Sequence, residues 1–88
     1  MYNHIAIVTA KLVFDNSLVS VVLDQFGNDA HLTDIGDGRF SISTEVSNSP
    51  VFLGWMFQFG EKAEILAPDG LRGAMLDLIK TAKEKYEK

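Results

Sequence analysis

Residues 54–72 read GWMFQFGEKAEILAPDGLR. Trp55, Met56, Phe57 and Phe59 crowd into five consecutive positions, Gly60 interrupts them, a short alternation follows, and Pro68 breaks it. Such a run reads as a helix, a stop, a strand and a second stop. Upstream, Asn48 and Ser49 precede Pro50, which suits the first position of a helix. From there Val51, Phe52, Trp55, Met56 and Phe59 fall on one helical face, while Leu53 and Phe57 fall roughly opposite. EKAEILA (61–67) reads as a strand with Ala63, Ile65 and Ala67 on one side.

The same arrangement stands earlier in the chain. Shifted by 33 residues, Leu18, Val19, Val22, Leu23 and Phe26 land on Val51, Phe52, Trp55, Met56 and Phe59. Gln25-Phe26-Gly27 lands on Gln58-Phe59-Gly60, and Ala30 lands on Ala63. Each half therefore reads as strand, helix, glycine stop, strand. The first helix follows Asp15, Asn16 and Ser17, all favourable N-cap residues, and ends at Gly27, a natural C′ residue.

The remaining segments complete the pattern. Residues 5–14 form a strand with Ala6, Val8, Ala10, Leu12 and Phe14 on one apolar face. AHLTDI (30–35) and RFSISTEV (39–46) flank a Gly-Asp-Gly turn and predict a hairpin. Beyond Pro68, a stripe of Leu71, Met75, Leu78, Ile79, Ala82 and Tyr86 predicts a long final helix. The order is β-α-β-β-α-β-α. A twofold βαβ repeat implies an α+β domain, a ferredoxin-like βαββαβ sandwich: four antiparallel strands, two helices on one face, and an appended C-terminal helix. The second sheet face is then open to a partner or to the third helix. Ile5, Ile7, Val13 and Leu66 load that face.

With 88 residues the chain is expected to be one domain, 1–88, with a modest core. A net charge of −4 argues against direct binding to nucleic acid. Four of the eight basic residues, Lys80, Lys83, Lys85 and Lys88, gather in the last nine positions, where cations suit a helix C-terminus. The absence of cysteine excludes disulfides and thiolate metal sites. No apolar run reaches the length of a membrane span, and the N-terminus does not read as a secretion signal.

Catalytic patterns are not found. His4 and His31 stand far apart with no neighbour at ligand spacing, so no metal or other cofactor is expected. None of the serines sits in a nucleophile elbow. Asp34 and Asp37 flank the hairpin turn and read as residues bonding their own backbone. The acylphosphatase family shares the ferredoxin-like plan, but its anion loop lies between the first strand and helix. Here Phe14-Asp15-Asn16-Ser17 occupies that place, an acid without an arginine. Arg39 and Arg72, the only arginines, are the candidate ligand-binding residues for a carboxylate or phosphate, against a plain salt-bridge role for each. Leu53 and Phe57 are the candidate interface residues, against simple burial by the final helix or a loop.

Trp55, Phe59-Gly60, Ala63-Glu64-Ile65-Leu66-Ala67-Pro68, Leu71-Arg72 and a final helix with Tyr86 form a series. That series resembles the C-terminal extension (WCX) domain of WYL-domain helix-turn-helix transcriptional regulators. The strand ending Leu12-Val13-Phe14-Asp15-Asn16 is similar too, more loosely. The resemblance implies a non-catalytic regulatory domain of a bacterial, cytoplasmic regulator, associated with dimerisation and with framing the effector site. The implied partners are a second copy and the WYL and winged-helix domains of a full-length chain, so Met1 is expected to start a fragment. Neither a recognition helix nor a Trp-Tyr-Leu box stands in these residues, so DNA binding is not expected of them. The alternative is a stand-alone module of the same plan that binds an anionic metabolite or nucleotide.

Overall fold

The alternation at 39–46 becomes a nine-residue strand at the heart of a four-stranded antiparallel sheet. A computed structural model describes residues 6–27 and 30–87. In chain order the elements are β1 (Ile7–Asp15), α1 (Val19–Phe26), β2 (His31–Gly36), β3 (Arg39–Ser47), α2 (Pro50–Phe57), β4 (Ala63–Ala67) and α3 (Asp69–Tyr86). Single 3-10 turns, Asn16–Leu18 and Gly60–Lys62, precede α1 and β4. The sheet order is β2-β3-β1-β4. Both β1 and β2 run antiparallel to β3, so they are parallel to one another with β3 between them. By the same reasoning β3 and β4 are parallel with β1 between them. A parallel return needs a crossover, and α1 and α2 supply the two crossovers.

Period-two alternation decides which side of the sheet is dry. Ala10, Leu12 and Phe14 on β1 stand opposite Thr44, Ile42 and Phe40 on β3, and Ile65 on β4 lies beside Leu12. Apart from the partly buried Thr44, these side chains join Val46 of β3, Val22 of α1, Phe52, Leu53 and Met56 of α2, and Leu71 of α3 in one core. Each large side chain fully buried there contributes about 1.5–3 kcal/mol. On the other face Val13 and Ser41 are also buried. They pair across the two central strands and are flanked by Glu64 and Thr33 on the outer ones.

The hairpin closes at Asp37-Gly38, with φ of 59° and 74°. Positive φ at both central positions marks a type I′ turn, whose twist matches that of the flanking strands. The Gly36 N–H donates to Asp34 Oδ1 at 2.9 Å, the local bond expected of a turn aspartate. The hairpin is tied to the start of the 3-10 turn by Asn16 N–H donating to Gly38 O at 2.8 Å. Ser49 caps α2 by accepting from the Phe52 N–H at 3.3 Å, with Pro50 at the helix start as expected.

Several boundaries and faces differ from the sequence reading. Val51 is not inward but 83% exposed, because the first turn of α2 turns Phe52 and Leu53 to the core and Val51 away from it. Glu61 and Lys62 belong to a 3-10 turn rather than to the strand, which starts at Ala63. A bulge in β4 shifts its register between Ile65 and Ala67, so the expected single face of Ala63, Ile65 and Ala67 is interrupted. On the second sheet face Ile7 and Leu66 are exposed, whereas Val13 is not; Ile5 lies outside the described residues. His4 lies outside them as well, and His31 is exposed at the start of the edge strand β2.

Candidate functional site: an apolar groove between α2 and α3

The register of α3 creates the site. Leu71 is buried, and Ala74 and Met75 pack against the core, so the first half of α3 is anchored. From Leu76 to the helix end every residue except Ala82 is exposed. The final-helix stripe read from sequence is thus buried only in its first half, because the sheet and α2 extend no further beneath it. Where α3 leaves the body it forms, with the end of α2 and the strand β4, a groove of about 340 Å³. Met56, Ile65 and Met75 lie at its inner side; Phe57 (47% exposed), Leu76 (60%) and Ile79 (39%) line its open part.

Arg72 stands in this groove and is already engaged. Its guanidinium donates to the Ile65 carbonyl at 2.6 Å and to Glu64 at 3.3 Å. Ile65 O lies on β4, an edge strand, so Arg72 occupies an acceptor that an edge would otherwise present to another strand. The same bond fixes α3 to β4. A salt bridge, one of the two roles weighed for Arg72, is therefore present, with a main-chain bond beside it.

Arg39 is placed elsewhere. It lines a separate hollow of about 250 Å³ with Asp15, Glu61, Lys62 and Glu64, floored by Val13. Arg39 faces Asp15 across β1 and β3, yet it pairs with no carboxylate among the described residues. The two arginines are not brought together; Glu64 alone among the charged residues borders both hollows. Asp15 accepts the Ser17 N–H at 2.8 Å as the cap of the 3-10 turn. Hydrogen bonding from the Ser17 side chain and backbone holds the Asp15 carboxyl below its ordinary range, with Lys62 adding a smaller attraction.

Of the two candidate interface residues, Phe57 is exposed in the groove, but Leu53 is not on the surface at all. Leu53 is 7% exposed and belongs to the core. The cause is simple: α2 is apolar on nearly all sides and turns Phe52, Leu53 and Met56 inward instead of Val51. Leu76 lies off the stripe through Leu71 and Leu78 that sequence spacing picks out. A second stripe, Arg72, Leu76, Ile79, Lys83 and Tyr86, runs at the same helical spacing and was the available signal.

A four-stranded antiparallel sheet with two crossover helices, a third helix at its β4 edge and an apolar groove there defines a small α/β domain whose most distinctive surface suits contact with another apolar body. The family model of the WCX domain matches residues 6–83, and the chain belongs to that family. Membership places it with the regulatory domains of WYL-type regulators. No curated protein matches the chain. Among the described residues no helix is long and apolar enough to cross a membrane.

Proposed function

We propose that this chain is a non-catalytic regulatory domain of a WYL-type transcriptional regulator, acting through self-association and by framing the effector site of a longer chain. The observation that carries the reading is the open groove, with Phe57, Leu76 and Ile79 exposed together on one side of the domain. Contiguous exposed apolar side chains mark contact sites more often than they mark idle surface. The interleaved pair of βαβ units supports assigning the fold to the ferredoxin-like sandwich, with α3 appended. Sedimentation analysis of the chain against Phe57→Asp tests the reading. The expected result is a dimer that this exposed substitution dissociates; a strict monomer at high micromolar concentration overturns self-association as a property of the domain.

A second reading is an anionic metabolite or nucleotide held at Arg39, whose side chain lacks an ion pair among the described residues. Three carboxylates around the same hollow oppose it. A ligand at a hundredfold excess over Kd stabilises by roughly 2.7 kcal/mol. Thermal shifts that vanish in Arg39→Ala would support this reading, and shifts indifferent to that change would remove it.

A further inference from the structure

The groove and the free end of α3 are the two halves of one contact. Arg72, Ile79 and Tyr86 are spaced seven residues apart on one stripe of the helix. Seven residues are about two turns, or roughly 10 Å of helix on either side of Ile79. Below Ile79 the stripe forms the wall of the groove; above it, Lys83 and Tyr86 face solvent, with Tyr86 90% exposed. Two such helices laid antiparallel about a twofold axis at Ile79 bring Tyr86 of each over Arg72 of the other.

We propose that the free end of α3 of one copy lies in the α2/α3 groove of a second copy, and reciprocally, with Tyr86 stacked on the second copy's Arg72. The inference rests on the self-association reading above and specifies its geometry. Net charge agrees with it: over residues 80–87 three lysines outnumber two glutamates, with Lys83 and Glu87 paired at 2.7 Å, while Glu64, paired with Arg72, lines the groove and Glu61 sits in the turn next to it. Arg72 is held by Ile65 O and Glu64, so its planar group is fixed for a ring to stack upon. Area agrees as well. The chain exposes 6200 Å² for a mass of 9.7 kDa, about 1,000 Å² more than a compact monomer of that mass. A standard interface takes roughly 800 Å² from each partner, an area of the same order.

The chain has no cysteine, so single cysteines report the geometry directly. Ile79→Cys places a thiol at the proposed axis, and Thr81→Cys places one on the other side of the same helix. The expected result is that Ile79→Cys forms a disulfide dimer at least roughly fivefold faster than Thr81→Cys under mild oxidation. Tyr86→Glu, at a side chain too exposed to affect folding, is expected to weaken the dimer about tenfold or more in sedimentation equilibrium. A dimer that Phe57→Asp dissociates but Tyr86→Glu leaves within about twofold means that another segment fills the groove, and overturns the inference while self-association stands. Equal cross-linking at the two cysteines has the same consequence. A monomer throughout removes both.

Discussion

Phe26 and Phe59 meet the same ring. They stand 33 residues apart at equivalent places in the two halves of the chain. Each approaches the Trp55 indole edge to face, with centroid distances of 5.4 and 4.9 Å and interplanar angles of 84° and 81°. Phe14 of β1 and Phe52 of α2 complete the cluster at 6.0 and 6.5 Å. Edge-to-face pairs contribute about 0.5–1.5 kcal/mol beyond area burial. Trp55 therefore joins the end of α1, the start of α2, the turn after α2 and strand β1, which is where the two βαβ units must be held together.

Trp55→Ala is accordingly expected to destabilise the domain by about 3 kcal/mol, the low end for a large aromatic because the side chain is only half-buried. Urea denaturation followed by far-UV circular dichroism measures it, since the change removes the only tryptophan. A loss under about 1 kcal/mol would deny Trp55 its place as the joint between halves.

Leu53 and Phe57 lie one turn apart on α2 with opposite fates. Leu53→Ala should cost about 2–4 kcal/mol through the cavity it leaves. Phe57→Ala should stay within about 1 kcal/mol, as befits a half-exposed side chain. Chemical denaturation of both variants checks the contrast, and equal losses would contradict the observed faces of the helix.

Arg72 makes two bonds of unequal worth. Its pair with Glu64 joins side chains that are 41% and 51% exposed, where solvent screening leaves about 0–1 kcal/mol. The shorter bond to Ile65 O satisfies an edge carbonyl and fixes α3. Glu64→Ala should thus be nearly neutral, within about 0.5 kcal/mol, whereas Arg72→Ala should cost about 1–2 kcal/mol and raise amide exchange in the first turns of α3. Identical effects for the two variants would mean that the ion pair, not the carbonyl, holds the helix.

Asp15 makes the stability pH-dependent in a defined direction. Its carboxyl is held below its ordinary range in the folded chain by hydrogen bonding from Ser17. A depressed folded pKa contributes stability above the unfolded value, about 3.9, and loses it as pH falls through the lower folded value. Asp15→Ala should therefore melt earlier than the unaltered chain near neutral pH. The gap should close in acid below about pH 3.9. Thermal scans across that range decide the matter; a gap of constant size down to the lowest pH would show that the cap acts without its charge.

The hairpin, the stop at Gly27 and the doubled helix pattern were legible in the residues, because alternation and helical spacing are local rules set by backbone geometry. By contrast, α2 ends at Phe57 with Gln58 as its cap, before the stop expected at Gly60. Asp37-Gly38 specifies a two-residue turn wherever it lies between alternating segments. Faces were less legible. In α2 nearly every position is apolar, so spacing could not separate Leu53, which is buried, from Phe57 and Val51, which are not. Ser41 and Val13 likewise became buried through their cross-strand neighbours, and register is a property of two segments rather than one.

By itself the sequence determined the order of elements, the repeat that pairs α1 with α2, and the family series from Trp55 to Tyr86. Only the tertiary structure decided where α3 leaves the body. That depends on how far β4 and α2 extend beneath the helix, a distance that no periodicity within α3 encodes. The same packing commits Arg72 to Ile65 and leaves Arg39 apart. It also turns Phe57, Leu76 and Ile79 outward along one groove, because a helix can bury its apolar stripe only as far as there is a surface to meet it.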